Sequence, residues 1–135
     1  MSNATPAREF VTDTMGLVLW LERRKFSPTA RALYESAEAG NVVIHIPAIV
    51  FAEILYLSER RRIQLALDQL AEHLKRFPRY REATMSLGTI QSAAQITDIP
   101  ELHDRLIAGT ARRLGLALIT NDPVIQASAF VKTIW

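Results

Sequence analysis

The 135-residue sequence predicts an α/β layered fold with a mostly parallel sheet. Three observations carry that prediction. Strand-like and helix-like runs alternate along the chain. Two of the strand runs, NVVIHI (Asn41–Ile46) and LALIT (Leu116–Thr120), are short, apolar and rich in β-branched residues, as buried strands are. Helix start and stop signals fall between the runs, at Ser27-Pro28, Gly40 and Gly115.

The elements follow in order. Glu9–Thr12 reads as a short strand and Thr14–Arg24 as a helix. Ser27 is placed to cap a second helix, with Pro28 at its first position, running to about Ala39 and stopping at Gly40. Asn41–Ile46 is the second strand. Pro47 then opens AIVFAEILYL, apolar almost all round and therefore expected to be buried. Arg62–Phe77 reads as an amphipathic helix, Arg81–Met85 as a third strand and Leu87–Thr97 as a helix. Asp98 and Glu101 resemble a capping box for the helix that ends at Gly115. LALIT is the next strand, Pro123 opens a short helix, and FVKTIW is a last edge strand.

Composition narrows the chemistry. With 49% apolar and 22% charged residues, the chain is expected to be a single soluble globular domain. It has no cysteine, hence no disulfide frame and no thiolate catalysis. No apolar run reaches the roughly 18 residues of a membrane span, and no secretory signal is legible, so a cytoplasmic location is expected. The opening SNA triplet looks like a tag scar. Residues 1–7 are expected to be a disordered N-terminus and 8–135 the domain. Formal net charge is +2, which permits an anionic partner without demanding one.

Parallel sheets take ligands beyond the carboxyl ends of their strands. The residues there are acidic. Asp13 follows the first strand, Glu53 lies about two helical turns beyond the second, and Asp122 follows LALIT. Asp104 lies in the first turns of the helix before LALIT. Each has a second reading. Asp13 and Asp122 suit helix N-caps, and Asp104 suits a helix start or a pair with Arg105 or Arg112. Glu53 stands among apolar neighbours, so it needs either a buried arginine or a cation in a cleft.

Capping accounts for three acids singly but not for four on one sheet edge. Four close carboxylates repel, and a cation must hold them. An all-oxygen set suits Mg²⁺ or Mn²⁺, one or two ions per site. Two such ions roughly 4 Å apart stabilise both oxygens of a phosphodiester displacement. Two rival chemistries fail on single residues. A haloacid-dehalogenase-like phosphatase needs a second Asp where Met15 stands, and a receiver domain needs a Lys that LITND lacks.

The pieces VTDT with LVLWL after it, IPAIVFAEILYL, ELHDRLIAGTA and LGLALITND occur in the order and spacing of a known family. The chain resembles a PIN-domain ribonuclease of the VapC-like toxin kind, from about Phe10 to Trp135. The resemblance implies a three-layer α/β/α PIN-like fold with a sheet of four to five strands. It places metal ligands on Asp13, Glu53, Asp104 and Asp122, and implies a divalent-metal-dependent endoribonuclease, a dimer, and a cognate antitoxin whose tail blocks the site. Met15 departs from the small polar residue or His often found there, leaving Thr14 to supply a hydroxyl. Glu101 after Pro100 departs from an expected Asp. Thr120 and Asn121 are candidates to orient water, and Arg23, Arg24, Arg60, Arg61 and Arg62 to hold the RNA backbone. His45 reads as a hydrogen-bonded strand residue and His103 as a support to the site. Trp20, Phe51 and Tyr56 read as core. A catalytically silent PIN-like module that binds RNA or protein is the alternative.

Overall fold

The computed structural model describes residues 8–135; the expected disordered N-terminus and its tag scar, residues 1–7, lie outside the described residues. Five strands form one sheet: β1 (Arg8–Thr12), β2 (Val42–Pro47), β3 (Tyr80–Ala83), β4 (Ala117–Ile119) and β5 (Thr133–Ile134). Their order is β3-β2-β1-β4-β5, and every pairing is parallel. The expected mostly parallel sheet is therefore wholly parallel.

Seven helices join the strands among the described residues: α1 (Thr14–Leu21), α2 (Pro28–Glu38), α3 (Ala48–Glu59), α4 (Leu67–Arg76), α5 (Leu87–Ala94), α6 (Leu102–Leu114) and α7 (Pro123–Gln126). The chain builds outward from β1 to β3, then returns to lay β4 on the other side of β1. Right-handed crossovers in opposite directions put helices on opposite faces, which gives three layers. The reversal lies between β1 and β4, where such folds open a crevice. The residues after those two strands are Asp13 and Thr120–Asp122. β1, β2 and β4 supply the centre of the core, with Val11, Ile44, Ile46, Leu118 and Ile119 fully buried.

Several boundaries differ from expectation. The helix expected over Arg62–Phe77 begins only at Leu67. Ile63 and Leu65 are buried with Gln64 exposed between them, the period of extended chain. The Glu22 carboxylate accepts from the Gln64 and Leu65 N–H groups at 2.7 and 2.8 Å, taking donors the helix would have used. β3 starts one residue early and ends at Ala83, and α5 ends at Ala94. Asp98 does not cap α6. It accepts from Ser128 Oγ and Ala129 N, and Glu101 alone is the N-cap, accepting from Asp104 N at 2.7 Å.

α3 is not buried all round either: Val50 and Ile54 are, but Leu55 and Tyr56 are exposed. Tyr56 is thus no core residue, and Arg60 lies over its ring. Phe51 packs partly buried against the core.

α1 ends at Leu21 rather than Arg24. Arg23 adopts a left-handed φ of 56°, and Arg24 N bonds back to Leu19 O. α3 ends the same way, with Arg61 at φ 57° and Arg62 N bonded to Leu57 O. Helices usually place glycine there, as α2 does with Gly40.

Candidate active site

Asp13 sits at the turn from β1 into α1 and does two jobs. As N-cap, its Oδ1 accepts from Gly16 N at 2.7 Å. Its Oδ2 accepts from Thr120 Oγ1 at 2.5 Å, across the crevice from β4. Its own N–H donates to Ile119 O at 3.2 Å, tying β1 to β4 at that point. Gly16 is required here, because a Cβ would stand 2.7 Å from Tyr34 Oη and 2.9 Å from Asp13 Oδ1.

Asp122 caps α7 through Oδ1, which accepts from Val124 N at 2.8 Å and Ile125 N at 3.3 Å. Its N–H donates to Thr120 Oγ1 at 3.1 Å, so one hydroxyl links Asp13 and Asp122. Glu53, in mid-α3, is half-buried, and Thr14 Oγ1 donates to its Oε1 at 2.7 Å. No arginine meets Glu53 among the described residues. His103 Nδ1 lies 3.7 Å from Glu53 Oε2 and 3.8 Å from Glu101 Oε1. Asp104 is on the first turn of α6 and makes no ion pair with Arg105 or Arg112 among the described residues; Arg112 binds Gln95 instead.

These four carboxylates come from α3, α6 and the two turns after β1 and β4, and line one cavity of about 520 Å³. Thr14 and Asn121 share its lining, and Leu57 and Ile107 supply apolar wall. Arg23, Arg24, Arg60, Arg61 and Arg62 do not line it. Arg23 and Arg24 face a different cavity, and Arg61 and Arg62 a third.

The crowding has an electrostatic signature. Asp13 is pushed up to about 6, first by burial and then by the charges of Asp122 and Glu53; the bonds from Thr120 and Gly16 offset only part of this. Asp104 is also pushed up to about 6, by burial and then by Glu101, Asp122, Glu53 and Asp13. A divalent cation fits such a donor set: oxygens only, excess negative charge, and one carboxylate oxygen not used in capping on Asp122. Among the described residues, no three acidic or histidine groups stand close enough to close on one ion by themselves. An ion here would take one or two carboxylates and keep water in its other positions, the habit of Mg²⁺.

One feature of the surroundings carried no sequence signal. Tyr34, fully buried in α2, bonds Thr12 Oγ1 at 2.6 Å, and Thr12 Oγ1 donates to the Asp13 carbonyl at 3.0 Å. That braces the backbone of the cap from 22 positions away. His45 bonds Glu9 at 2.7 Å, as a satisfied strand residue should.

Comparison with known proteins identifies the family and the fold. The model of the PIN domain family matches residues 10–131. No curated protein matches the sequence. Solved structures that share the fold include the following three. VapBC2 from Rickettsia felis, bound to a DNA fragment from its promoter, has a TM-score of 0.70 at 19% identity, covering 93% of this chain and 97% of that one. A toxin–antitoxin complex from Klebsiella pneumoniae has a TM-score of 0.65 at 15% identity, covering 93% and 96%. The Mycobacterium tuberculosis toxin VapC20, which cleaves the sarcin-ricin loop, has a TM-score of 0.63 at 20% identity, covering 91% and 97%.

Proposed function

This chain belongs to the PIN-domain family, and we propose that it is a divalent-metal-dependent endoribonuclease, the toxin of a toxin–antitoxin pair. The observation that carries the reading is the single cavity lined by Asp13, Glu53, Asp104 and Asp122, two of them pushed up to about 6.

The chain's own groups have definite tasks. Asp13, Glu53, Asp104 and Asp122 would hold Mg²⁺ or Mn²⁺. Bound there, the ion would lower the pKa of water toward neutrality and offer positive charge to the phosphate. Thr120 and the Gly16 N–H fix both oxygens of Asp13, so that carboxylate is oriented before any ligand arrives. Thr14 fixes one oxygen of Glu53. Asp13 and Asp104 must shed protons to accept a cation, so affinity rises as pH climbs through about 6. Leu57 and Ile107 keep one wall dry. Attack by water needs no protein nucleophile, which agrees with a chain that has no cysteine.

The fold neighbours named as toxin–antitoxin complexes and as a cleaving toxin support the toxin reading and a cognate antitoxin. A homodimer is part of the same reading; Leu55 and Tyr56 on α3 and Leu87 and Ile90 on α5 are exposed apolar side chains that a second copy could cover. The test is cleavage of a mixed RNA pool with Mg²⁺ or Mn²⁺, against EDTA and against Asp13→Asn. Cutting that needs the ion and is lost in the variant is expected. RNA binding without cutting in either ion overturns the enzyme reading in favour of a silent binding module.

A further inference from the structure

A second cavity, of about 570 Å³, lies at the other end of α1. α1 has 8 residues and spans about 12 Å, so this cavity and the acidic cleft are separate. Its lining has the opposite character. Arg23, Arg24, Arg31 and Arg76 bring four guanidinium groups, and Trp20, Phe26 and Phe77 bring ring surface. Arg31 stands over Phe26 at 5.6 Å and Arg76 over Phe77 at 5.3 Å.

At its floor lies Glu38, three-quarters or more buried, with an unusual allotment of donors. Its Oε2 accepts from Trp20 Nε1 at 2.6 Å, Tyr80 Oη at 2.6 Å and His73 Nε2 at 2.9 Å. Its Oε1 has no partner among the described residues. Three donors on one oxygen fix the carboxylate as a rigid acceptor, and the other oxygen is left for something else.

We propose that this cavity is a nucleotide-binding site that grips the RNA strand at a distance from the cleavage cleft. It takes one nucleotide: phosphate on the arginines, base against the aromatic rings, and an amino donor of the base on Glu38 Oε1. Flat rings and planar cations are what single-stranded bases stack on, and arginine forks suit phosphate. An acceptor-only group at the floor favours guanine, adenine or cytosine, whose exocyclic amino groups project from the ring, over uracil, whose one free base donor is the ring N3–H. An acidic peptide could meet the arginines but would offer no flat base to the Trp20, Phe26 and Phe77 rings. The inference rests on the ribonuclease reading for its choice of RNA.

The test uses the full chain in EDTA, where cutting cannot interfere. The Trp20 indole N–H resonance is followed while GMP, CMP, UMP, inorganic phosphate or a hexaglutamate peptide is added. The expected result is a saturable shift with GMP and CMP, several-fold weaker binding of UMP, and at least tenfold loss in Arg31→Ala/Arg76→Ala. Glu38→Gln should erase the preference over UMP, and Asp13→Asn should leave binding unchanged. Phosphate binding as tightly as GMP, hexaglutamate binding more tightly, or indifference to the arginine pair would each overturn the proposal. The two readings fail separately. Cutting with Mg²⁺ or Mn²⁺ but no nucleotide at Trp20 sinks this site alone; nucleotide at Trp20 but no cutting sinks the enzyme alone.

Discussion

The two ends of α1 hold buried carboxylates in opposite ways. At its start, Asp13 receives two donors and faces Asp122 and Glu53, and it is pushed up to about 6. Near its end, Glu38 receives three donors. Burial alone would raise it, but the bonds from Tyr80, Trp20 and His73 outweigh that and hold it below the usual range. Burial is common to both. What separates them is the balance of donors against neighbouring negative charge. At the first end neighbouring negative charge outweighs the donors, and at the second the donors prevail.

That contrast can be tested by disabling each end in turn. Asp13→Asn should lower the rate of RNA cleavage by at least about 100-fold, measured as initial rate in saturating Mg²⁺. Glu38→Gln should leave the rate at saturating RNA within about threefold. Equal losses in both variants would mean that the two ends share one function.

Stability should respond to pH with opposite signs. The folded pKa of Asp13 lies above its unfolded value of about 3.9. Its contribution is therefore intact below that value and lost as pH rises through about 6, by about 3 kcal/mol for a shift of this size. Asp13→Asn should raise the metal-free Tm at pH 7.5, by about 1–3 kcal/mol in stability once weakened hydrogen bonds are counted, and give no gain at pH 3.5. Glu38 is depressed, so its contribution is present above the usual carboxylate range and lost as pH falls through its folded value. Glu38→Gln should thus destabilise at pH 7.5 and cease to matter in acid. Thermal melts of both variants across pH 3.5–7.5 check this.

Mg²⁺ at about 100 times its Kd should stabilise the wild type by about 2.7 kcal/mol at pH 7.5. The gain should shrink at pH 5, where protons compete for Asp13 and Asp104. It should be absent in Asp13→Asn. An Mg²⁺ shift that survives that substitution would place the cation elsewhere.

The smallest effect compares two identical helix ends. Arg23 and Arg61 occupy the same left-handed position after α1 and α3. Arg61→Gly and Arg23→Gly should each gain about 1 kcal/mol, roughly 3 °C in Tm. Only Arg23→Gly should also weaken nucleotide binding, since Arg61 lies outside that cavity.

Much of the fold was legible because its signals are local. Ser27-Pro28, Gly40 and Gly115 mark helix ends within a few residues, and the β-branched runs mark strands. The Arg62–Phe77 helix was misread because its decisive partner, Glu22, lies 42 positions before Gln64. The candidate site was half legible. The sequence left Asp13 and Asp122 undecided between cap and ligand, and the question dissolves in the structure. In both, one carboxylate oxygen caps a helix while the side chain lines the cleft.

By itself, then, the sequence determined which residues carry charge, where every helix but α4 starts, and that acids follow the strands. Tertiary structure alone decided which charges share a cavity. It put four carboxylates together while leaving the arginines elsewhere, and it gave Glu38 donors from positions 20, 73 and 80. The reason is range. Caps and periodicity act over one turn, whereas the partners of a buried charge are chosen by how distant segments pack, and no short stretch of chain records that choice.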